Sequence, residues 1–448
     1  MPTLPSGPSA LPTWLHARWQ AARESLWLVP AAMILGALAL GLLMVRVSGD
    51  VDHNALVHYP RLFGASPDSS REMLSVIAAA MMTVTSVTFS ITMVAVSQAA
   101  SQYSSRILRH FMRDRANQVA LGTFTGVFVY CLVILRTVRG DQDLRFNPEV
   151  AVIVAVVLAI LAIGVLVFFI HHVAQSLQAT TILARVADET RHAVEQLFPD
   201  AVGEEPSPAQ FAAAAGTVAH LQWHAVQSTH TGYLLGVDAG ALAAFAAGRD
   251  LVVKMERAIG EHVVAGTPLA SASRPLGDEE AAALRALFAI ARFRTIAQDP
   301  AFGLRELADV AVRALSPGIN STSTATTALD NIGAVLFLLT QRRVDDPHRL
   351  QDGRVRVVTR APSFARLVAT GLHEIRRNAA GNYRVLLRLL DTLALLLAHT
   401  GLPERRRVLL EEAHRVHALA QRSVEDASDR VALAAFYRER FELGQSGP

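Results

Sequence analysis

The stretch LSVIAAAMMTVTSVTFSITMVAVSQAASQYSSRILRHFMRD, Leu74–Asp114, opens as a membrane span and closes as a basic helix. Leu74–Val96 is free of charge and reaches the ~20 residues a helix needs to cross hydrocarbon. Yet Thr83, Thr85, Ser86, Thr88, Ser90 and Thr92 interrupt it. On a helical period these hydroxyls fall into two stripes. Thr83, Ser86, Ser90, Ser97 and Ser101 form one; Thr85, Thr88 and Thr92 lie nearly opposite. Two readings stand. Small and hydroxylated residues let membrane helices approach, and Ser or Thr bonds back to its own helix. Alternatively, the Thr83–Ser86–Ser90–Ser97–Ser101 stripe lines a wet path, as helices around pores do. Either way, so polar a span is expected at the centre of its bundle, shielded by the others.

Three more apolar runs accompany it: Leu26–Val45, Val119–Leu135 and Val150–Ile170. A chain that is 51% apolar and only 18% charged, with mean hydropathy +0.30, fits membrane segments better than a soluble domain. The first run is too long and starts too late for a cleaved signal, so it reads as a retained span. No Asp, Glu, Lys or Arg lies inside any run. That argues against proton-coupled transport, which uses intramembrane ionisable groups, but leaves a passive pore open. Gly122 and Gly126 make a G-x-x-x-G pair, a spacing for close helix packing.

Arginine placement sets the expected orientation. Arg106, Arg109, Arg113 and Arg115 crowd the connection between the second and third runs, placing it inside. Both termini are then cytoplasmic, in a bacterial inner membrane. Arg106, Arg109 and Arg113 share one helical face and are candidates for anionic headgroups; a plain topology signal explains them equally.

Residues 171–198 continue the period of the fourth run without Pro or Gly, predicting one long helix that carries movement from membrane to cytosol. PDAVGEEPSP (199–208) reads as a linker. WHAVQS (223–228), GYLLGV (232–237), LVVKM (251–255) and HVVAGTPLASA (262–272) read as strands around a short helix, 239–249. GEHVVAGTPLA suggests the turn-and-strand unit of a small biotinyl–lipoyl-like barrel, but the order relative to Lys254 is wrong for a carrier. From Asp278 on, helices are predicted at 278–293, 302–320, 324–342, 363–378, 382–399, 404–423 and 426–443, with a strand at 354–359. Leu386, Leu389, Leu390, Leu393, Leu396 and Leu397 mark a buried face.

The expected fold is therefore mainly α. A four-span transmembrane helical domain (26–170) follows a cytosolic segment (1–25). A connecting helix and linker (171–208), a β-barrel-like subdomain (209–277) and a C-terminal helical bundle (278–448) complete it.

Chemistry is sparse. Cys131 is the sole cysteine, which excludes an internal disulfide or cysteine cluster. Residues 171–448 hold 30 basic and 30 acidic side chains, a balance that argues against nucleic acid as a partner. Glu189–His192 and Glu411–His414 have Glu-x-x-His spacing, but without partner carboxylates no metal is expected. No catalytic motif and no cofactor fingerprint is present, so no enzyme is expected. One loop, RALSPGINSTSTA (313–325), offers Asn320, Ser321 and Thr322 at a helix start, as an anion or ligand site or as simple capping.

SVTFSITMVAVSQAASQYSSRILRHFMRDRANQVALGTF, FVYCLVILRTVR, FIHHVAQSLQ, RTIAQDPAFGLRELADVAVRALSPGIN and GYLLGVD together resemble the DUF2254-type predicted membrane proteins of bacterial inner membranes. The resemblance spans nearly the whole chain. It implies membrane location and shared topology and brings no activity. In that family Ser-Pro-Gly-Ile-Asn usually continues with Asp-Pro and an aromatic; here Ser321, Thr322 and Ser323 follow Asn320. The functional expectation is a homo-oligomeric ion or small-solute pore in the lipid bilayer, regulated by its cytosolic part. The alternative is a membrane-anchored sensor or scaffold whose helical domain binds a partner.

Overall fold

The computed structural model describes residues 27–50, 66–102, 114–138, 148–176, 178–198, 216, 218, 220–342, 344, 348–351 and 354–442. The chain divides into two compact units, 1–178 and 179–448.

Among its described residues, unit one contains four helices long and apolar enough to cross a membrane: α1 (Leu28–Asp50), α2 (Pro67–Gln102), α3 (Arg115–Thr137) and α4 (Glu149–Ser176). Each matches an apolar run, and α2, α3 and α4 extend past theirs at both ends into polar residues that keep helical dihedrals. The central helix is α3, which touches the other three. Half of its apolar stretch is buried, against 22% for that of α2. This corrects the expectation that the polar second span is the shielded centre. The reason lies in small residues. A Cβ on Gly122 would meet Met33 Sδ at 2.5 Å and Pro30 Cα at 3.1 Å, and one on Gly126 would meet Ala37 Cβ at 3.5 Å. The glycine pair thus seats α1 directly on α3. Phe124, Tyr130, Cys131 and Ile134 fill the remaining faces of α3, and Tyr130 Oη donates to Ala151 O of α4 at 3.0 Å.

The long connecting helix is also corrected. The helix stops at Ser176, Gln178 N–H turns back to Gln175 O at 3.2 Å, and a new helix, α5 (Ala179–Leu197), begins unit two.

Unit two is a mixed α/β body. GYLLGV forms β2 (Gly232–Val237) with the bounds read from sequence, and α6 (Ala239–Gly248) follows with Asp238 as its cap, accepting from Ala241 N at 2.9 Å. β1 (His224–Gln227), β3 (Val253–Met255), β4 (His262–Val263) and β5 (Pro268–Ala272) lie where strands were expected. They do not close into a barrel. One open sheet has the order β1-β5-β3-β8-β7, with β7 (His348–Gln351) and β8 (Arg354–Val358) supplied from far along the chain. β8 runs parallel to β3, pairing Val253 with Val357. The second sheet has the order β4-β2-β6. Its β6 (Phe288–Ala291) was expected to be helical; α7 (Asp278–Ala286) ends instead, and Leu234 pairs with Ile290 across β2. Edge pairing and burial of Phe288 override the local helix preference.

The helical part comprises α8 (Pro300–Ala314), α9 (Thr322–Thr340), α10 (Phe364–Asn378), α11 (Tyr383–Ala398), α12 (Pro403–Ser423) and α13 (Ala427–Tyr437), ending in a π-helical turn, Arg438–Glu442. All six leucines of the predicted face of α11 are buried. α8 and α9 cross each other and α5; a Cβ on Gly303 would collide with the Thr190 side chain, so only glycine permits that crossing. Arg405 closes the end of α9, donating to Leu339 O, Thr340 O and Arg342 O at 2.9–3.1 Å. Arg376 and Glu412, both buried, join α10 to α12 by a 2.7 Å ion pair.

Candidate functional site

The two hydroxyl stripes of α2 part company in the fold. Thr88 and Thr92 are buried in the bundle, with Leu74, Ala78, Met81 and Ala95 on the same inward side. Thr83, Ser86, Ser90 and Ser97 are exposed on the outer surface of the unit. Ser101 lies in the last turn of the same helix, and its side chain is outside the described ones. The stripe singled out as path-lining is thus the one its own unit leaves uncovered.

Local chemistry explains why apolar surroundings accept these groups. Thr83 Oγ1 donates to Ala79 O at 3.0 Å, Thr85 Oγ1 to Met81 O at 2.7 Å, Ser86 Oγ to Met82 O at 3.0 Å and Thr92 Oγ1 to Thr88 O at 2.8 Å. Each donor is satisfied inside its own helix, while its oxygen still offers lone pairs outward. Thr88 Oγ1 is buried with no hydrogen-bond partner. Flanking the outer stripe are Met82, Val87, Phe89, Met93 and Val94, all exposed and apolar. The outer face of α2 is a narrow polar seam in an apolar surface.

A second polar cluster closes one end of the bundle. Asp114 caps α3, accepting from Ala116 N at 3.0 Å, and its other oxygen meets His172 Nε2 of α4 at 2.6 Å. Ser176 Oγ lies 3.3 Å from the same imidazole nitrogen. One turn beyond the cap, Asn117 is buried with neither amide atom bonded. The partner of His172 lies 58 residues earlier in the chain, too far for any local pattern to pair them. The only signal was an Asp before a helix start.

The headgroup candidates Arg106, Arg109 and Arg113 lie outside the described residues. In unit two, Asn320 takes a left-handed conformation (φ 45°) at an exposed bend, and Ser321 N–H donates to Ala314 O at 2.7 Å. Ser321 Oγ lies 2.9 Å from Thr324 Oγ1, and Thr322 Oγ1 accepts from Asn382 Nδ2 at 3.0 Å. The hydroxyls of this loop join α9 to the start of α11 and to its own first turn. Of the Glu-x-x-His pairs, His192 is exposed beside Gln196, and Glu411 pairs with Arg415. No cluster of three or more metal-ligating side chains occurs among the described residues.

Comparison with known proteins agrees with this architecture. Residues 23–395 match the family model described as "Predicted membrane protein (DUF2254)". The chain is 33% identical over 422 residues to the protein "Uncharacterized protein MT1328" of Mycobacterium tuberculosis (strain CDC 1551 / Oshkosh), covering 91% of this chain and 78% of that protein. It is 32% identical, with the same coverage, to "Uncharacterized protein Mb1321c" of Mycobacterium bovis. No solved structure matches. A four-helix apolar unit joined to a mixed α/β unit, with a family match running through both, makes this chain a multi-span membrane protein that belongs to the DUF2254 predicted membrane protein family.

Proposed function

We propose that the protein is a homo-oligomeric conductance of the bacterial inner membrane, with both termini cytoplasmic, in which the Thr83–Ser86–Ser90–Ser97 seams of several copies face one shared path. The observation that carries this reading is the exposure of that seam on a helix whose opposite side buries Thr88 and Thr92. A polar seam facing acyl chains gains nothing, whereas the same seam around a water-filled axis offers oxygen lone pairs to a passing cation or small solute. The absence of charge within the spans favours passive passage over proton coupling. The test is reconstitution in planar bilayers together with cysteine scanning. Conductance that a water-soluble thiol reagent blocks at Ser86→Cys and Ser90→Cys, but not at Val94→Cys, supports the reading. Silent bilayers together with protection of all three positions would refute it.

A membrane-anchored scaffold is the second reading, and one feature of unit two favours it. Between α5, α9 and α11 runs a groove of about 990 Å³ with Ala334, Phe337 and Leu395 on its floor. Asp188, Arg191, Asp330 and Arg388 stand on its rim. An apolar floor with a mixed-charge rim suits an amphipathic helix from a partner. A photo-crosslinker at Leu395 that captures one stoichiometric partner, with no conductance, would select this reading.

A further inference from the structure

Outside the membrane unit, one cavity has a composition that neither reading uses. It measures about 300 Å³ and is lined by Arg294, Arg305, Arg360 and Arg366. These come from three separate connections: the segment after β6, the first turns of α8, and the β8–α10 link with the first turn of α10. Only the tertiary fold brings them together, and the β3–β4 turn at Ala258–Glu261 forms the remaining wall.

Two of the four arginines are fixed. Arg294 donates to Asp299 Oδ2 through Nε at 3.0 Å and Nη2 at 2.5 Å, and its guanidinium lies 4.8 Å from the Phe302 ring centroid. Arg360 Nη1 donates to Glu256 O at 2.8 Å. Arg305 and Arg366 make no ion pair and no side-chain hydrogen bond among the described residues. Asp299, paired with Arg294 and attracting Arg305, and Glu261 in the wall offset part of this charge, and four guanidiniums against two carboxylates leave a positive excess. Asp299 is buried behind Arg294, and Glu261 Oε2 is occupied by Ala258 N at 3.1 Å. The backbone adds to the positive field. Ala301 at the start of α8 and Ser363, the cap of α10, both line the cavity, so two helix N-termini open on it. Gly260, with φ 83°, shapes the wall: a Cβ there would strike the Arg294–Asp299 pair.

We propose that this cavity binds a phosphate-bearing group, either of a small soluble molecule or of a lipid headgroup. Guanidinium forks match phosphate oxygens in pairs, and several of them around one concavity favour a doubly charged oxyanion over a carboxylate. The volume is at the lower end for small-molecule sites, sufficient for a phosphate and a modest attached group. Arg294 and Arg360, held by protein partners, give a preset frame. Arg305 and Arg366 have free donors to close on the ligand.

The test uses the full chain in nanodiscs of phosphatidylcholine, titrated calorimetrically with inorganic phosphate and with adenosine monophosphate. A parallel preparation in phosphatidylglycerol discs is examined by native mass spectrometry for retained lipid. Saturable binding of either soluble probe, weakened about tenfold or more by Arg305→Gln and by Arg366→Gln, identifies a soluble phosphate ligand. Retained phosphatidylglycerol that both variants lose, with no soluble binding, identifies a headgroup. Both replaced side chains are exposed, so folding should survive, and Arg407→Gln, exposed and outside the cavity, should leave binding unchanged. Absence of binding in both preparations of the wild-type chain overturns the proposal, as does binding that neither variant weakens. The outcome is independent of whether the protein conducts.

Discussion

The membrane unit and the C-terminal unit solve the same problem, holding helices together, with opposite materials. In unit one the contacts are made by absence: Gly122 and Gly126 let α1 lie against α3, and the hydroxyls of Thr83, Thr85, Ser86 and Thr92 in α2 are satisfied by their own helix. In unit two the contacts are made by mass and charge: the leucines of α11, the buried Arg376–Glu412 pair, and Arg405 at the end of α9. The difference follows from the solvent. In water, burying leucine is itself the driving force. In lipid it yields nothing, and close packing of small residues is what remains.

The sharpest way to break this comparison is at Glu412. Its Oε1 accepts from Arg376 Nε at 2.7 Å and its Oε2 from Arg415 Nη1 at 3.2 Å, while His373 Nδ1 lies 3.0 Å from Arg376 Nη2. Glu412→Ala strands a buried guanidinium, and the expected loss is about 3–5 kcal/mol. Denaturant unfolding followed by a probe in unit two should read it. Arg376→Met combined with Glu412→Leu should recover most of the loss, since an apolar pair removes the stranded charge. If Glu412→Ala costs nothing, charge is not what holds α10 to α12.

Gly122→Leu asks the matching question of the membrane unit. The new side chain would run into Met33 and the Pro30 backbone. Met33 can yield, but Pro30 Cα cannot without moving α1, so a cost of ~1–3 kcal/mol is expected. Unfolding in detergent, or loss of a crosslink between cysteines placed on α1 and α3, measures it. Gly36, which has open space around its Cβ position, is the control; Gly36→Leu should be near neutral in the same assay.

How far the sequence disclosed the fold follows the same division. The four spans were legible because length and apolarity alone define them. Which helix is central was not, because a span such as α4, apolar on every side, has no face that periodicity can point to. The two stripes of α2 were legible as stripes, yet their inward or outward sense depends on where α3 sits. In unit two the leucine spacing of α11 declared its buried face, since only there does water penalise the wrong orientation. What failed was long-range: β6 is a strand because β2 needs a partner, and the sheets stay open because β8 arrives from beyond α9. Asp114–His172 and the arginine cavity are likewise assembled by tertiary folding, and no local pattern announces them.

A weaker effect separates exposed charge in unit two from its buried pair. Arg274 grips Glu280 with two hydrogen bonds at 3.0 and 2.9 Å, and this draws the Glu280 carboxyl from 4.5 down to about 2. The folded value lies below the unfolded one, so the pair contributes above about pH 4.5 and its contribution is lost as pH falls through about 2. In Glu280→Gln the stability of unit two should therefore fall less steeply across that window, with little change in its steepness at neutral pH. Salt should diminish the difference, because the pair is in water. An unchanged acid profile would mean that the two hydrogen bonds do not persist in solution.

The smallest expected effect tests the membrane unit at the position most unlike Glu412. Thr88 is buried in α2 and its hydroxyl has no partner. Val has nearly the shape of Thr and removes the unbonded oxygen, so Thr88→Val should be neutral or slightly stabilising. The same change at Thr92, whose hydroxyl donates to Thr88 O at 2.8 Å, removes an intrahelical bond but leaves that carbonyl in its helical ladder. It too should cost little. Thermal unfolding of both variants in one detergent decides the matter. A large loss at Thr88 would mean that its oxygen has a partner inside the bundle after all, such as water. The inward stripe of α2 would then be a hydrated seam rather than packing, and the path assigned to the outer stripe would have a rival within each copy.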